Sequence, residues 1–322
     1  MSRVLELSGS LRGAAFGAGS KARRGFALGT VGVLAFSVTL PATRAADPVF
    51  GSITVGLGRV VIAAALAAVV LTARGERLIV PKLLPRLGIV VLGVVIGFPL
   101  LTTLALQDVS SAHAAVVSGL LPAATAGMAV ARAGERPRRE YWFALVIGLV
   151  AVLGFAAIQG AGRPRLADLL VLAAVVLAGL GFADGATLAR EYGGWRVICW
   201  ALVLTLPVLL PITVTSAVLH PPVHVTIGAA LGLGYVSVIS TFLAFFAWYA
   251  GLARGGVARI GRLQLIQPVL TLGWSALLLG EHISLATGIA AVIVLAVVVV
   301  GRKARVDQIL PDRAVAAEPI SQ

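Results

Sequence analysis

Ten stretches of mostly Leu, Ala and Val, each about twenty residues long, follow one another with only short links between them. Their approximate limits are 25–43, 50–73, 86–106, 110–132, 140–158, 167–188, 196–218, 225–251, 256–279 and 282–301. About twenty apolar residues are what a helix needs to cross a bilayer. Backbone amides and carbonyls in hydrocarbon must be satisfied within the segment, so apolar runs of this length fold as helices. The apolar residues are continuous, without the alternation of a membrane barrel strand. The expected fold is an all-α polytopic membrane protein of ten transmembrane helices.

Charge supports this reading and orients it. The 322 residues include 12% charged and 59% hydrophobic residues, where soluble domains carry about 25% charged. The net charge of +13 invites a nucleic-acid partner, but the positions of the charges argue against one. With the N-terminus placed inside, 22 of the 26 Lys and Arg fall on the inner side. Only Arg44, Arg163 and Arg165 fall outside, and Arg59 lies within a run. This is the positive-inside signature; it places both termini in the cytoplasm. Residues 1–24 read as a mobile basic tail and 302–322 as a C-terminal tail. A basic start, an apolar core at 25–41 and small residues at Ala42–Ala46 also fit a cleaved signal peptide. The repeat described next argues against that alternative. Cys199, the single cysteine, rules out an intramolecular disulfide.

The chain repeats itself at an offset of 146. Between 104–155 and 250–301 twelve of 52 positions are identical, among them Pro122/Pro268, Thr125/Thr271, Gly127/Gly273 and Gly134-Glu135/Gly280-Glu281. The same offset pairs Arg44 with Arg190, so the first run has a partner and belongs to the bundle. The units are 25–160 and 166–301. Each holds five runs, an odd number, so the second unit inserts upside down. Two inverted repeats meeting at mid-membrane are the plan of many secondary transporters.

Ionisable groups inside a span cost about 2.5–3.5 kcal/mol on insertion scales. Two sit well inside. Arg59 lies about 14 Å into the second run, and Asp184 about 9 Å from Arg190, at 1.5 Å per residue. Arg59 is a candidate site for a substrate carboxylate and Asp184 for proton or cation coupling; the alternative is that they pair with each other. Gln264, Gln267, Thr271 and Ser275 share one helix face, as do Ser111, Ser118 and Thr125 on the fourth run. The offset lays Ser118 on Gln264 and Thr125 on Thr271, so both units carry a polar stripe. The stripes either line a shared cavity or hydrogen-bond between helices. Thr102, Thr103, Ser237 and Thr241 are further cavity candidates. His113 lies off the stripe and reads as an interfacial residue. Trp142, Trp195 and Trp248 fall near inner boundaries, Trp274 near an outer one and Trp200 about a turn and a half from Trp195; the group reads mostly as an aromatic belt. Gly93/Gly97, Gly181/Gly185, Gly228/Gly232 and Gly251/Gly255 have the spacing of close helix contacts. Gly134-Glu135 and Gly280-Glu281 read as helix ends, the glycine terminating one helix and the glutamate starting the next. The chain contains no phosphate-binding loop, His-Glu-x-x-His or Gly-x-Ser-x-Gly motif; no catalytic residue, cofactor or metal site is expected.

The segment Phe245-Phe246-Ala247-Trp248-Tyr249-Ala250-Gly251-Leu252-Ala253-Arg254-Gly255-Gly256-Val257-Ala258-Arg259, with Gln267-Pro268-Val269 and Leu277-Leu278-Leu279-Gly280-Glu281 beyond it, closely resembles the second repeat of EamA-type transporters in the drug/metabolite transporter superfamily. Gly58-Arg59 and Leu121-Pro122 through Gly134-Glu135 resemble the first repeat. The resemblance implies ten helices in a 5+5 inverted arrangement around a central cavity. It also implies export or exchange of small amino-acid-like or drug-like metabolites across a bacterial plasma membrane. The first run departs from the pattern, reading Val33-Leu34-Ala35-Phe36-Ser37 where many members carry Trp-Gly-Ser/Asn. On this reading Arg59, Ser118, Thr125, Gln264, Gln267 and Thr271 bind substrate and Asp184 couples transport to protons. The expected partners are the lipid bilayer and a small-molecule substrate, with a homodimer left open. A membrane-embedded lipid-modifying enzyme and a non-transporting scaffold or sensor are the rival classes.

Overall fold

The structure, a computed structural model, describes residues 23–76, 81–133, 165–222, 224–256 and 260–301, with five isolated positions between 143 and 154. Most of the expected fifth run, both tails, Trp142 and Gly134-Glu135 lie outside the described residues. Every element among those described is helical. Seven helices are long and apolar enough to cross a membrane: α1 Arg23–Phe50, α2 Thr54–Ala73, α3 Pro81–Ala105, α4 Ser111–Val130, α5 Leu166–Tyr192, α6 Gly194–Leu219 and α7 Ile227–Gly255. They are followed by the shorter apolar helices α8, Leu263–Leu279, and α9, Leu285–Gly301.

The 146 offset reappears in the backbone. The helical stretch Leu121–Ala133 and the stretch Gln267–Leu279 begin and end at positions related by it. A π-helical segment at Val91–Gly97 in α3 falls, after the shift, within the π-helical segment Tyr235–Leu243 in α7. The helices preceding Leu121 and Gln267 are both perturbed, and the cause is local. Pro122 and Pro268 have no N–H to give to the carbonyls of Ser118 and Gln264, so the i→i−4 ladder fails at both places. The chain tightens there: Leu120 donates to Val117 at 3.2 Å, and Gly261–Ile266 is a 3₁₀ turn. The runs at 110–132 and 256–279 are therefore each perturbed just before the proline, where its missing N–H frees a carbonyl.

Contacts sort the helix termini into two ends of the bundle. At one end Gly25 lies against Gly255, Arg86 pairs with Glu191 at 3.3 Å, and Arg196 donates to Glu76 at 2.8 Å. At the other, Arg44 donates to the Leu106 carbonyl, Glu281 accepts from Ser111 and Ala112, and His113 meets Asp168. The chain thus alternates direction from α1 through α4, and α1 and its offset partner α5 start at opposite ends. The first helix runs past its expected limit of 43, to Phe50. Arg44 and Asp47 are tolerated inside it because the Leu106 carbonyl and Ser52, whose hydroxyl lies 2.5 Å from Asp47 Oδ1, satisfy them.

Exposure is inverted relative to a soluble protein. Val69, Leu92, Val208, Val218, Leu231 and Leu277 are each more than half exposed on the outer faces, where lipid rather than water is the compatible solvent. Inside, backbones approach at glycines. A Cβ on Gly93 of α3 would stand 2.6 Å from the Leu177 carbonyl and 2.7 Å from Gly181 Cα on α5. A Cβ on Gly251 of α7 would stand 2.8 Å from the Gly29 nitrogen on α1.

Two expectations about aromatic and histidine side chains are corrected. Trp248 and Trp200 are buried rather than belted; Trp248 packs against Phe36 and Phe182 at 6.2 and 5.6 Å between ring centroids. Trp195 does lie at a helix end, with Arg74 and Arg196 over its ring at 5.2 and 4.9 Å. Trp274 donates from Nε1 to Ser37 Oγ at 3.0 Å. His113 lies at an end of the bundle but is buried between helices rather than exposed there, with Nε2 2.5 Å from Asp168 Oδ1. Asp168 is also buried, so Arg59 and Asp184 are not the only ionisable groups inside the bundle. The Asp168 carboxylate is held by His113 and by the Arg165 backbone N–H at 2.7 Å, which removes the cost of burying it alone.

Candidate functional site

Helices α1–α5, α7 and α8 surround a central cavity. Five of the six expected substrate-binding residues line it: Arg59, Ser118, Gln264, Gln267 and Thr271. Phe36, Phe182 and Phe245 form an aromatic face on the same cavity, with ring centroids 5.0–6.4 Å apart. The offset runs through this wall as well. Phe36 and Phe182, Val94 and Ser240, Ser118 and Gln264, and Leu121 and Gln267 are offset pairs in which both members line the cavity. Each half therefore contributes equivalent positions.

The perturbed turns before the two prolines place the polar residues. Ser118 ends the first part of α4 and Gln264 lies in the 3₁₀ turn before α8. Several polar atoms in the wall have no hydrogen-bond partner although they are buried: Arg59 Nε, Ser118 Oγ, both amide atoms of Gln264, and Gln267 Oε1. Each unpaired buried polar group costs about 1–3 kcal/mol. Such a concentration is sustained where a solute or water supplies the missing bonds. Gln264 and Arg59 are each only 1% exposed.

Arg59 and Asp184 do not pair with each other. Arg59 makes one bond, from its guanidinium to Thr43 Oγ1 at 3.3 Å, and no carboxylate lies within ion-pair distance among the described residues. The position offset from Arg59 is Thr205, whose hydroxyl turns back to its own Leu202 carbonyl at 2.6 Å. The cationic side chain is thus a property of one half alone. Asp184 is buried on α5 but is not part of the cavity wall.

Thr125 is the sixth expected residue and stands apart from the cavity. Its hydroxyl donates to the Leu121 carbonyl at 2.8 Å, and its turn packs on Gly179. Thr271 lines the cavity and also donates to the Ser37 carbonyl at 2.8 Å, so the helix-to-helix and cavity readings both hold there. Ser111 and Ser275 bond to each other at 2.8 Å, away from the wall. Thr241 lines the cavity, whereas Thr102, Thr103 and Ser237 bond to carbonyls of their own helices. Sequence reasoning missed Thr39 and Ser240, whose hydroxyls lie 2.7 Å apart in the wall, and the three phenylalanines. The offset identity of Phe36 and Phe182 was a usable signal for the aromatic face.

A bundle of lipid-compatible helices around a cavity lined by apolar and polar side chains is the plan of a polytopic membrane protein. The EamA-like transporter family matches the chain twice, over residues 23–157 and 165–301, and the chain belongs to that family, within the drug/metabolite transporter superfamily. It is 46% identical over 266 residues to the uncharacterized transporter YdeK of Bacillus subtilis (strain 168), covering 82% of this chain and 92% of that one. It is 26% identical over 242 residues to a probable terminal-alkyne amino-acid exporter of Streptantibioticus cattleyicolor, covering 74% of this chain and 80% of that one. A solved crystal structure shares the fold, with a TM-score of 0.61 at 19% identity, over 86% of this chain and 95% of that one.

Proposed function

We propose that the chain is a secondary transporter that moves a small metabolite across a bacterial plasma membrane by alternating access. The observation that carries this reading is the central cavity, whose lining residues from both halves include buried polar atoms without partners. The proposal includes ten spans in two inverted five-helix units, with both termini cytoplasmic. The offset backbone features and the opposed starts of α1 and α5 support that arrangement. Arg59 orients an anionic group of the substrate, and Ser118, Gln264, Gln267 and Thr271 complete its site. Asp184, buried but off the wall, is the proposed proton-coupling group. The transported compound is amino-acid-like or drug-like, and no step involves covalent chemistry or a cofactor. The relative named as a probable terminal-alkyne amino-acid exporter favours the first of these substrate types.

Counterflow in proteoliposomes tests the reading. Purified protein is reconstituted, loaded with unlabelled amino acids or cationic drugs one at a time, and exposed to the labelled compound outside. Label accumulates transiently for at least one compound. Absence of accumulation across the whole panel, with insertion verified, overturns the proposal.

A further inference from the structure

Arg59 is a buried cation with no counter-ion among the described residues, and its surroundings define what can supply one. We propose that Arg59 and Thr43 form a binding site for a small monovalent inorganic anion, chloride being the abundant one, which neutralises the guanidinium when no solute does. This goes beyond the transport reading, in which Arg59 holds an anionic group of the solute, and does not depend on it.

The charge sets the requirement. A guanidinium stays protonated in proteins, and a charge held in a low-dielectric interior without a partner is strongly unfavourable. Arg59 is 1% exposed. Its Nη1 donates to the Thr43 hydroxyl at 3.3 Å, and its Nε–H reaches no acceptor. Among the described residues lining the cavity none is Asp or Glu. The offset partner Thr205 is neutral, so the need for a counter-ion arises in one half only.

The surroundings set the size and charge of the ligand. Thr43 is fully buried; its hydroxyl accepts from Arg59, which leaves its own O–H to donate to an anion. Ser118 Oγ and both amide atoms of Gln264, elsewhere in the same wall, are buried and unpaired. Hydroxyl and amide each hold a further donor, whichever way the amide is turned. Most of the remaining wall is apolar or aromatic, and among the described residues lining it Arg59 is the one cation. A dianion such as sulfate would therefore bring a second charge that nothing in the wall meets. A halide asks only for one positive charge and for N–H or O–H donors, which this wall supplies.

Full-length protein in nanodiscs tests the inference. Thermal unfolding is followed in sodium chloride, sodium bromide and sodium sulfate at matched ionic strength. Sulfate is the salt that strengthens apolar burial in general, so a non-specific effect ranks sulfate first. The expected order is the reverse: chloride and bromide raise the unfolding midpoint saturably and above sulfate, as ligands of the folded state do. Radiolabelled chloride binds as a single ion per chain and is displaced by bromide but not by sulfate. In Arg59→Gln the chloride concentration at half-saturation rises about tenfold or more, for the charge-assisted bonds lost. Sulfate ranking first, no bound label, or label displaced as readily by sulfate as by bromide overturns the inference. Unchanged half-saturation in folded Arg59→Gln overturns the assignment to this site. If that variant fails to fold, the label and the salt order on the unaltered protein decide alone. Chloride binding without counterflow of any solute upholds the inference and overturns the transport reading; solute counterflow by protein that binds no chloride does the reverse.

Discussion

Glu281, in the loop after α8, holds the first turn of α4 through Ser111. Its carboxylate accepts the Ser111 backbone N–H and hydroxyl at 3.0 Å each, and the Ala112 N–H at 2.9 Å. Gly280 makes the reach feasible by taking a left-handed conformation, φ 64°, at the end of α8. The glycine half of the Gly-Glu motif therefore ends a helix as expected. The glutamate caps a different helix from the one it precedes, in the other half of the chain.

Removing that carboxylate leaves two N–H groups at the start of α4 unpaired. Glu281→Ala is expected to cost about 1.5–3 kcal/mol from charged hydrogen bonds, and Glu281→Gln less, because its amide oxygen still accepts. Thermal unfolding in nanodiscs ranks the two; equal stability of Glu281→Ala and the parent would show that the cap carries no weight.

The His113–Asp168 contact joins α4 to α5 with both side chains buried. Breaking a buried pair by removing one member costs about 3–5 kcal/mol, whereas replacing both with apolar groups of similar size is often neutral. Asp168→Leu alone is thus expected to destabilise more than the double replacement His113→Leu with Asp168→Leu. Additive losses in the double-mutant cycle would mean the two side chains do not interact.

Close backbone approach at Gly93 sets a third expectation. The added methyl of Gly93→Ala meets the Leu177 carbonyl and the Gly181 backbone, neither of which is a flexible side-chain end. Overpacking of this kind costs about 1–3 kcal/mol. Gly273→Ala, where a Cβ meets nothing within 4 Å, serves as the comparison and should leave the unfolding midpoint unchanged or raised.

Coupling through Asp184 is tested by Asp184→Asn in the same liposomes. Exchange at equal pH on both sides continues, while accumulation driven by an imposed pH gradient is lost. Persistence of gradient-driven accumulation removes Asp184 from that role.

Topology has the simplest check. A reporter fused after Gly301 is expected to read as cytoplasmic, on the positive-inside count; a periplasmic signal would refute either the orientation or the even number of spans.

The amino-acid sequence by itself determined the helical membrane class, the duplication and most of the polar wall. Those features rest on properties carried by local stretches of chain: run length against bilayer thickness, the sign of loop charges, and the register of Ser118 with Gln264. Pro122 and Pro268 were legible for the same reason, since a missing N–H perturbs its own helix wherever that helix packs. What only the tertiary structure decided concerns partners far apart in the chain. Thr125 and Thr271 occupy equivalent positions, yet Thr125 bonds within its own helix while Thr271 reaches the cavity and Ser37. Arg59 could have paired with Asp184 on sequence grounds; in the fold its hydrogen bond goes to Thr43 instead. His113 looked interfacial because its place near a helix start says nothing of Asp168, 55 residues away and 2.5 Å distant. Local chemistry fixes where a helix begins, bends and ends, but which side chain satisfies a buried charge depends on how the helices are arranged around it.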